Sequence, residues 1–118
     1  MLKVFSLTED TFVKFTEEES PHGPGEMSRV EPGPSWASAG INRYEKGKTW
    51  IRDWPYWYTE VVYVTRGHGK VTLSEPPYAT SESTEVKAGD LFTIPKSMKV
   101  SFEALGDDVF EIVWAVPE

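Results

Sequence analysis

Cysteine is absent from the 118-residue chain, which excludes disulfides, thiolate metal sites and cysteine nucleophiles. Histidine is nearly absent: His22 and His68 are the only two, too few for a three-histidine metal site within one chain. Positive charge is outweighed. With 12 Lys and Arg against 19 Asp and Glu the net charge is −7, which argues against nucleic acid or an anionic membrane surface as the main partner. No apolar run approaches membrane-spanning length, and the start Met1-Leu-Lys-Val-Phe-Ser-Leu7 is too short for the apolar core of a signal peptide. A cytoplasmic location is therefore expected, and the lack of cysteine is compatible with it. There is also no Gly-rich phosphate loop, no Ser-centred elbow and no zinc-binding His pair on a helix. Long amphipathic helices and internal repeats are missing as well.

Aromatic residues, in contrast, are plentiful, at 14% of the chain with five Trp. A chain of this length builds one hydrophobic core, so several of these rings are expected to line a cavity or an interface. The pattern is one of short strands. Phe12 to Phe15 alternates like a strand, although Ser6 followed by Glu9 also fits the cap of a helical turn. Two loops rich in Pro and Gly, Glu17 to Gly25 and Glu31 to Ser35, flank a short strand at Met27 to Val30. Strands are then predicted over Ser38–Glu45 and Lys48–Asp53. Gly67-His68-Gly69 reads as a tight hairpin turn from which Lys70 to Leu73 returns. Ser74 to Thr84 reads as a loop and Glu85 to Asp90 as a short strand and turn. Leu91 to Pro95 is expected to be a buried strand, with further strands at Lys99–Glu103 and Val109–Val116. Many short strands with closely spaced turns indicate an all-β sandwich or barrel.

The centre of this pattern is Trp54-Pro-Tyr-Trp-Tyr-Thr-Glu60-Val-Val-Tyr-Val-Thr-Arg-Gly67, read as a strand of aromatic and β-branched residues with one carboxylate inside it. A carboxylate in such a setting is partly desolvated, which raises its pKa and suits a general acid or base near neutral pH. The alternative is a structural glutamate, bonded to a tyrosine hydroxyl or paired with Arg43 or Arg52, since perturbed carboxylates also occur in structural networks. Strand alternation places Trp54, Tyr56, Tyr58, Glu60, Val62 and Val64 on one face and Trp57, Thr59, Val61 and Tyr63 on the other. Both faces are apolar, and the second needs cover from a sheet edge or a partner subunit. A homodimer is the expectation drawn from it.

Glu60, six residues and Gly67, followed by Gly89-Asp90, five residues after the glycine and Pro95, resemble the two motifs of the cupin superfamily. The resemblance implies a double-stranded β-helix, or jelly-roll barrel. It covers roughly residues 38–116 of a single domain spanning 1–118, with 1–37 as an N-terminal arm carrying short strands. It places the face of Glu60 inside the barrel. The metal-binding histidines of cupins have no counterparts here. The His-x-His positions fall on Trp54 and Tyr56, or on Asp53 and Pro55 with the longer spacing. The second motif's glycine is Ser97, its histidine Val100, and the asparagine that often follows is Ala104. Neutral imidazoles supply most of the binding for Fe, Mn, Ni or Zn, and Trp or Val cannot replace them.

Trp54-Pro, Tyr58-Thr-Glu60-Val-Val-Tyr63-Val, Phe92-Thr-Ile-Pro95-Lys and Val113-Trp-Ala-Val-Pro117 are in addition similar to the cupin domain of ethanolamine-utilisation proteins of the Q type, without the N-terminal extension that some of these carry. The missing histidines together with an aromatic, partly polar pocket point to a small organic metabolite bound in the barrel with no cofactor, and the resemblance implies a role accessory to such a pathway. The expected pocket is Trp54, Tyr56, Tyr58, Glu60, Phe92, Val100 and Phe102. Ile94, Ile112 and Trp114 are expected in the lining or the core. An enzyme of isomerase, lyase or hydrolase type is the alternative, with Glu60, Tyr58 and Tyr56 as its catalytic candidates. Another is a divalent metal held by Glu60, Asp53 and His22, should the N-terminal segment fold over the barrel mouth. A protein-interaction domain without a ligand is a third reading. His68, between two glycines, is expected to be an exposed turn residue.

Overall fold

The computed structural model describes residues 3–15, 25–33, 35–52 and 54–117. A single 3-10 turn, Glu9–Thr11, precedes ten strands: β1 Val13–Lys14, β2 Gly25–Val30, β3 Trp36–Tyr44, β4 Thr49–Arg52, β5 Glu60–Arg66, β6 His68–Ser74, β7 Glu82–Lys87, β8 Leu91–Ile94, β9 Lys99–Leu105 and β10 Phe110–Pro117. They form two antiparallel sheets, one in the order β1-β2-β3-β10-β5-β8 and one in the order β4-β9-β6-β7. The expected all-β jelly roll is therefore the observed architecture. No helix among the described residues is long and apolar enough to cross a membrane.

Alternation decides what lies between the sheets. β5 turns Glu60, Val62 and Val64 inward, β9 turns Val100, Phe102 and Ala104, and β10 turns Phe110, Ile112, Trp114 and Val116. Tyr44 at the end of β3 is the hub. Its ring stacks on Phe102 with centroids 5.4 Å apart and lies 5.8 Å from Trp50 and 5.9 Å from Phe110. Offset and tilted ring pairs of this kind add about 0.5–1.5 kcal/mol each beyond the area they bury.

Three strand expectations are corrected by the structure. Trp54 to Thr59 is irregular, and β5 begins only at Glu60. Pro55 has no N–H to give a ladder, and the paired register of β5 with β8 starts at Glu60↔Ile94. The segment is tied instead by the Ser97 N–H, which donates to the Tyr56 carbonyl at 2.6 Å.

Gly67-His68-Gly69 is not a hairpin. β5 pairs with β10 and β8, β6 pairs with β9 and β7, and the chain changes sheets at Gly67. Gly67 has φ 72° and a Cβ there would collide with the Val109 carbonyl oxygen, so the corner requires glycine. His68 opens β6 and is exposed.

β8 is an edge strand in which Ile94 is buried, Phe92 half-buried and Leu91 exposed, so it is not the buried strand expected. The loop after β6 is also shorter than predicted, because pairing with β6 starts β7 at Glu82. At the other end the arm joins the large sheet: β2 pairs with β3, and β1 pairs with β2. Most of the Glu17–Gly25 loop lies outside the described residues.

Candidate functional site

A cavity of about 270 Å³ opens between the sheets at the β3, β4, β10 end. This is slightly below the range of roughly 300–1,000 Å³ usual for ligand pockets. Trp50 and Arg52 from β4, Glu60 from β5, Asn42 and Tyr44 from β3, and Ile112 and Trp114 from β10 form its interior. Trp54 and Tyr56 bound it from the irregular segment, and Phe15, Met27 and Arg29 from the arm. Phe102 from β9 also lines it.

The polar chemistry rests on β4. Residues 50 and 52 alternate inward, and both are buried, Arg52 to 3% exposure. Arg52 Nη1 lies 3.5 Å from Glu60 Oε1, and its guanidinium sits 4.0 Å over the Tyr56 ring. Glu60, 7% exposed, is the paired carboxylate of the structural alternative, with Arg52 as the partner and not Arg43. Arg43 is occupied elsewhere, by Glu9, Glu26 and Glu111. Burial pushes the Glu60 carboxyl above its ordinary value, and the charge of Arg52 opposes that shift without cancelling it.

On the opposite wall, Trp114 Nε1 donates to Asn42 Oδ1 at 2.7 Å and Asn42 Nδ2 donates to the Tyr44 hydroxyl at 2.8 Å. Burial raises the Tyr44 phenol pKa strongly, so it stays neutral. Two buried donors among the described residues have no acceptor: Trp50 Nε1 and Arg52 Nε.

Of the residues expected to form the pocket, Trp54, Tyr56, Glu60 and Phe102 line this cavity. Tyr58, Phe92 and Val100 are not in its lining. Tyr58 packs tilted against Tyr56, ring centroids 5.2 Å apart, outside it, and desolvation raises its phenol pKa. Phe92 lies with Val71 and Leu73 in a separate surface depression. Val100 is a buried cross-strand neighbour of Arg52. Trp50, Asn42 and Tyr44 were not singled out from the sequence. The alternation of Lys48 to Asp53 put Trp50 and Arg52 on one face, a signal that could have found the first of them. His22 and Asp53 lie outside the described residues, as does any site they would complete with Glu60.

Two facing antiparallel sheets around a small, partly polar cavity define a jelly-roll protein with an internal site. Residues 52–116 match the Cupin family model, and the chain belongs to the cupin family. Among solved structures it is similar to the plu4264 protein of Photorhabdus luminescens, with TM-score 0.75 and 15% identity over 100% of this chain and 89% of that one. It is also similar to the capsular polysaccharide assembling protein CapF of Staphylococcus aureus, with TM-score 0.73 and 18% identity over 97% of this chain. The chain spans only 29% of that CapF chain. A third is a putative ethanolamine utilization protein Q of Salmonella typhimurium, with TM-score 0.63 and 20% identity over 90% of this chain and 77% of that one. At these identities the likeness is one of fold. No curated protein matches the chain by sequence.

The fold family implies a metal, and the donors among the described residues do not fit one. Among the described residues no three His, Cys, Asp or Glu side chains cluster. The motif glutamate faces a guanidinium, which repels a cation and already occupies the carboxylate. Ser97, at the position of the second motif's glycine, keeps that residue's left-handed conformation with φ 71°. The turn has been retained while Val100 supplies no imidazole.

Proposed function

We propose that the chain is a ligand-binding cupin that holds a small organic metabolite in its aromatic cavity without a transition metal. Its role is accessory, of the kind the likeness to an ethanolamine utilization protein Q implies, and its location cytoplasmic. The observation that carries this reading is the buried Arg52–Glu60 pair at the wall of an apolar, ring-lined cavity. A charged pair in such a place orients a polar ligand, while the rings supply contact area.

Thermal-shift screening of small metabolites tests it, native chain against Glu60→Gln. Binding by the native chain and its weakening in the variant are expected. Equal binding by both removes Glu60 from the contacts. Elemental analysis of protein purified without a metal-affinity step is expected to find no stoichiometric metal.

One observation favours an enzymatic second reading. Burial pushes the Glu60 carboxyl above its ordinary value at the wall of a cavity that Tyr56 also lines, the direction a general acid or base requires. Turnover that survives chelators and disappears in Glu60→Gln would establish it. Tyr58, on the outer side of Tyr56, is then a positioning residue.

A further inference from the structure

The two orphaned donors identify what the ligand must bring. Trp50 is 8% exposed and Arg52 3%, both line the cavity, and they sit two residues apart on the inward face of β4. That spacing puts their Cα atoms about 6–7 Å apart with side chains on the same side. Trp50 Nε1–H and Arg52 Nε–H have no acceptor among the described residues. Elsewhere on the wall Trp114 donates to Asn42 and Asn42 donates to Tyr44. An unmet buried donor costs about 1–3 kcal/mol, more when charged. Both nitrogens are closed to water in this structure, so an acceptor reaches them by a shift of the side chains on binding, and one that carries charge meets Arg52 better, because charge-assisted hydrogen bonds are roughly twice as strong as neutral ones.

We infer that the cavity takes a small carboxylic acid, its carboxylate accepting from Trp50 Nε1 and Arg52 Nε while its apolar body lies against Phe15, Met27, Phe102 and Ile112. This rests on the reading of the cavity as a ligand site and adds the ligand's chemical class. The charges facing the site are consistent with an anion. Among the described residues Arg52 is the buried cation, Glu60 its buried counter-charge, and Arg29 a second cation in the lining, paired with the exposed Glu31 at 3.3 Å. Trp50 sets a limit on the ligand as well: an indole donates only, so it rewards an acceptor and offers nothing to an amine or hydroxyl hydrogen.

Nitrogen-15 NMR of the native chain tests this through the tryptophan indole N–H signals. Trp50 is assigned from its proximity to the rings of Phe102 and Tyr44, at 5.6 Å and 5.8 Å. The probes are benzoate and 4-methylpentanoate, each against its uncharged primary amide. Both acids are expected to move the Trp50 signal saturably downfield and to bind about tenfold or more tightly than the amides, the loss expected for a charge-assisted hydrogen bond. Arg52→Met should remove that preference; if it fails to fold, the acid–amide comparison on the native chain stands alone. Equal binding of acid and amide overturns the carboxylate assignment and leaves the cavity a ligand site. Shifts at Trp54 or Trp114 with Trp50 unmoved overturn the donor assignment. No response of any indole to any probe overturns the inference together with the reading beneath it.

Discussion

Glu60 and Arg52 are a buried pair whose two members respond differently to pH. The unfolded Glu60 titrates near its ordinary value of 4.5, and the folded one above it, because burial outweighs the attraction of Arg52. Between these values the folded state holds a proton that the unfolded state has released. Stability from this site is thus complete below 4.5 and is lost as pH rises through the folded value. Glutamine mimics the protonated form and does not titrate, so any offset it introduces is constant. In urea unfolding across a pH series, the stability difference between the native chain and Glu60→Gln is expected to move in the variant's favour as pH rises from acid to neutral. A flat difference would mean that Glu60 is not shifted. Glu9 and Asp108, held low by hydrogen bonds from Arg43 and Arg66, contribute equally to both proteins and cancel. Arg52→Met removes the opposing charge instead. At neutral pH it leaves a buried carboxylate unpaired, for which about 3–5 kcal/mol of destabilisation is expected. The same substitution should cost much less at acid pH, where Glu60 is protonated, and the unfolding series checks this directly.

At the scale of elements, the corner at Gly67 links the strand that carries Glu60 to the opposite sheet. Gly67→Ala puts a methyl group in the left-handed region and against the Val109 carbonyl. Gly47 provides the control, with φ 71° and nothing within 4 Å of an added Cβ. Conformation alone costs about 1–2 kcal/mol, so Gly47→Ala is expected near 1 kcal/mol. Gly67→Ala should cost at least about 2 kcal/mol because Val109 and Phe110 must also move. Equal urea midpoints for the two variants would show that the corner relaxes freely. This corner also marks how far the sequence could be read. Strand existence was legible from alternation, as in β9 and β10, because one buried face imposes period two. The partner of each strand was not, since Gly67 fits a hairpin and a sheet crossing equally well. The cavity was half legible for a related reason. Glu60, Trp54 and Tyr56 stood out beside the motif positions, whereas Trp50, Asn42 and Tyr44 come from strands that only the three-dimensional closure brings to the same cavity. Tyr58 was placed with them by an alternation that stops where the strand begins.

At the scale of the whole molecule, the outer face of the large sheet is unevenly covered. Near β2 the N-terminal turn lies over it: Thr11 shares a 2.6 Å hydrogen bond with the buried Ser28, and Arg43 links Glu9, Glu26 and Glu111. Further along, the cross-strand rows Ile41–Val113–Tyr63–Leu91 and Ala39–Ala115–Val61–Thr93 continue without such cover. Val61, Tyr63, Leu91 and Val113 are 38%, 44%, 67% and 38% exposed, a contiguous apolar area on three neighbouring strands. Scattered apolar residues are ordinary on a monomer's surface, but a continuous patch of this kind marks an interaction site. A second copy of the chain is the occupant we propose, as the two apolar faces of β5 led us to expect. A two-fold interface would use the patch on both subunits, so one substitution acts twice. Light scattering coupled to gel filtration is expected to give twice the chain mass for the native protein and the single mass for Tyr63→Glu. The variant should remain folded with an unchanged acid–amide preference, because Tyr63 points away from the cavity that Glu60, Val62 and Val64 face. A native chain that runs as a monomer at every concentration overturns the dimer, and a dimer that survives Tyr63→Glu moves the interface off this sheet.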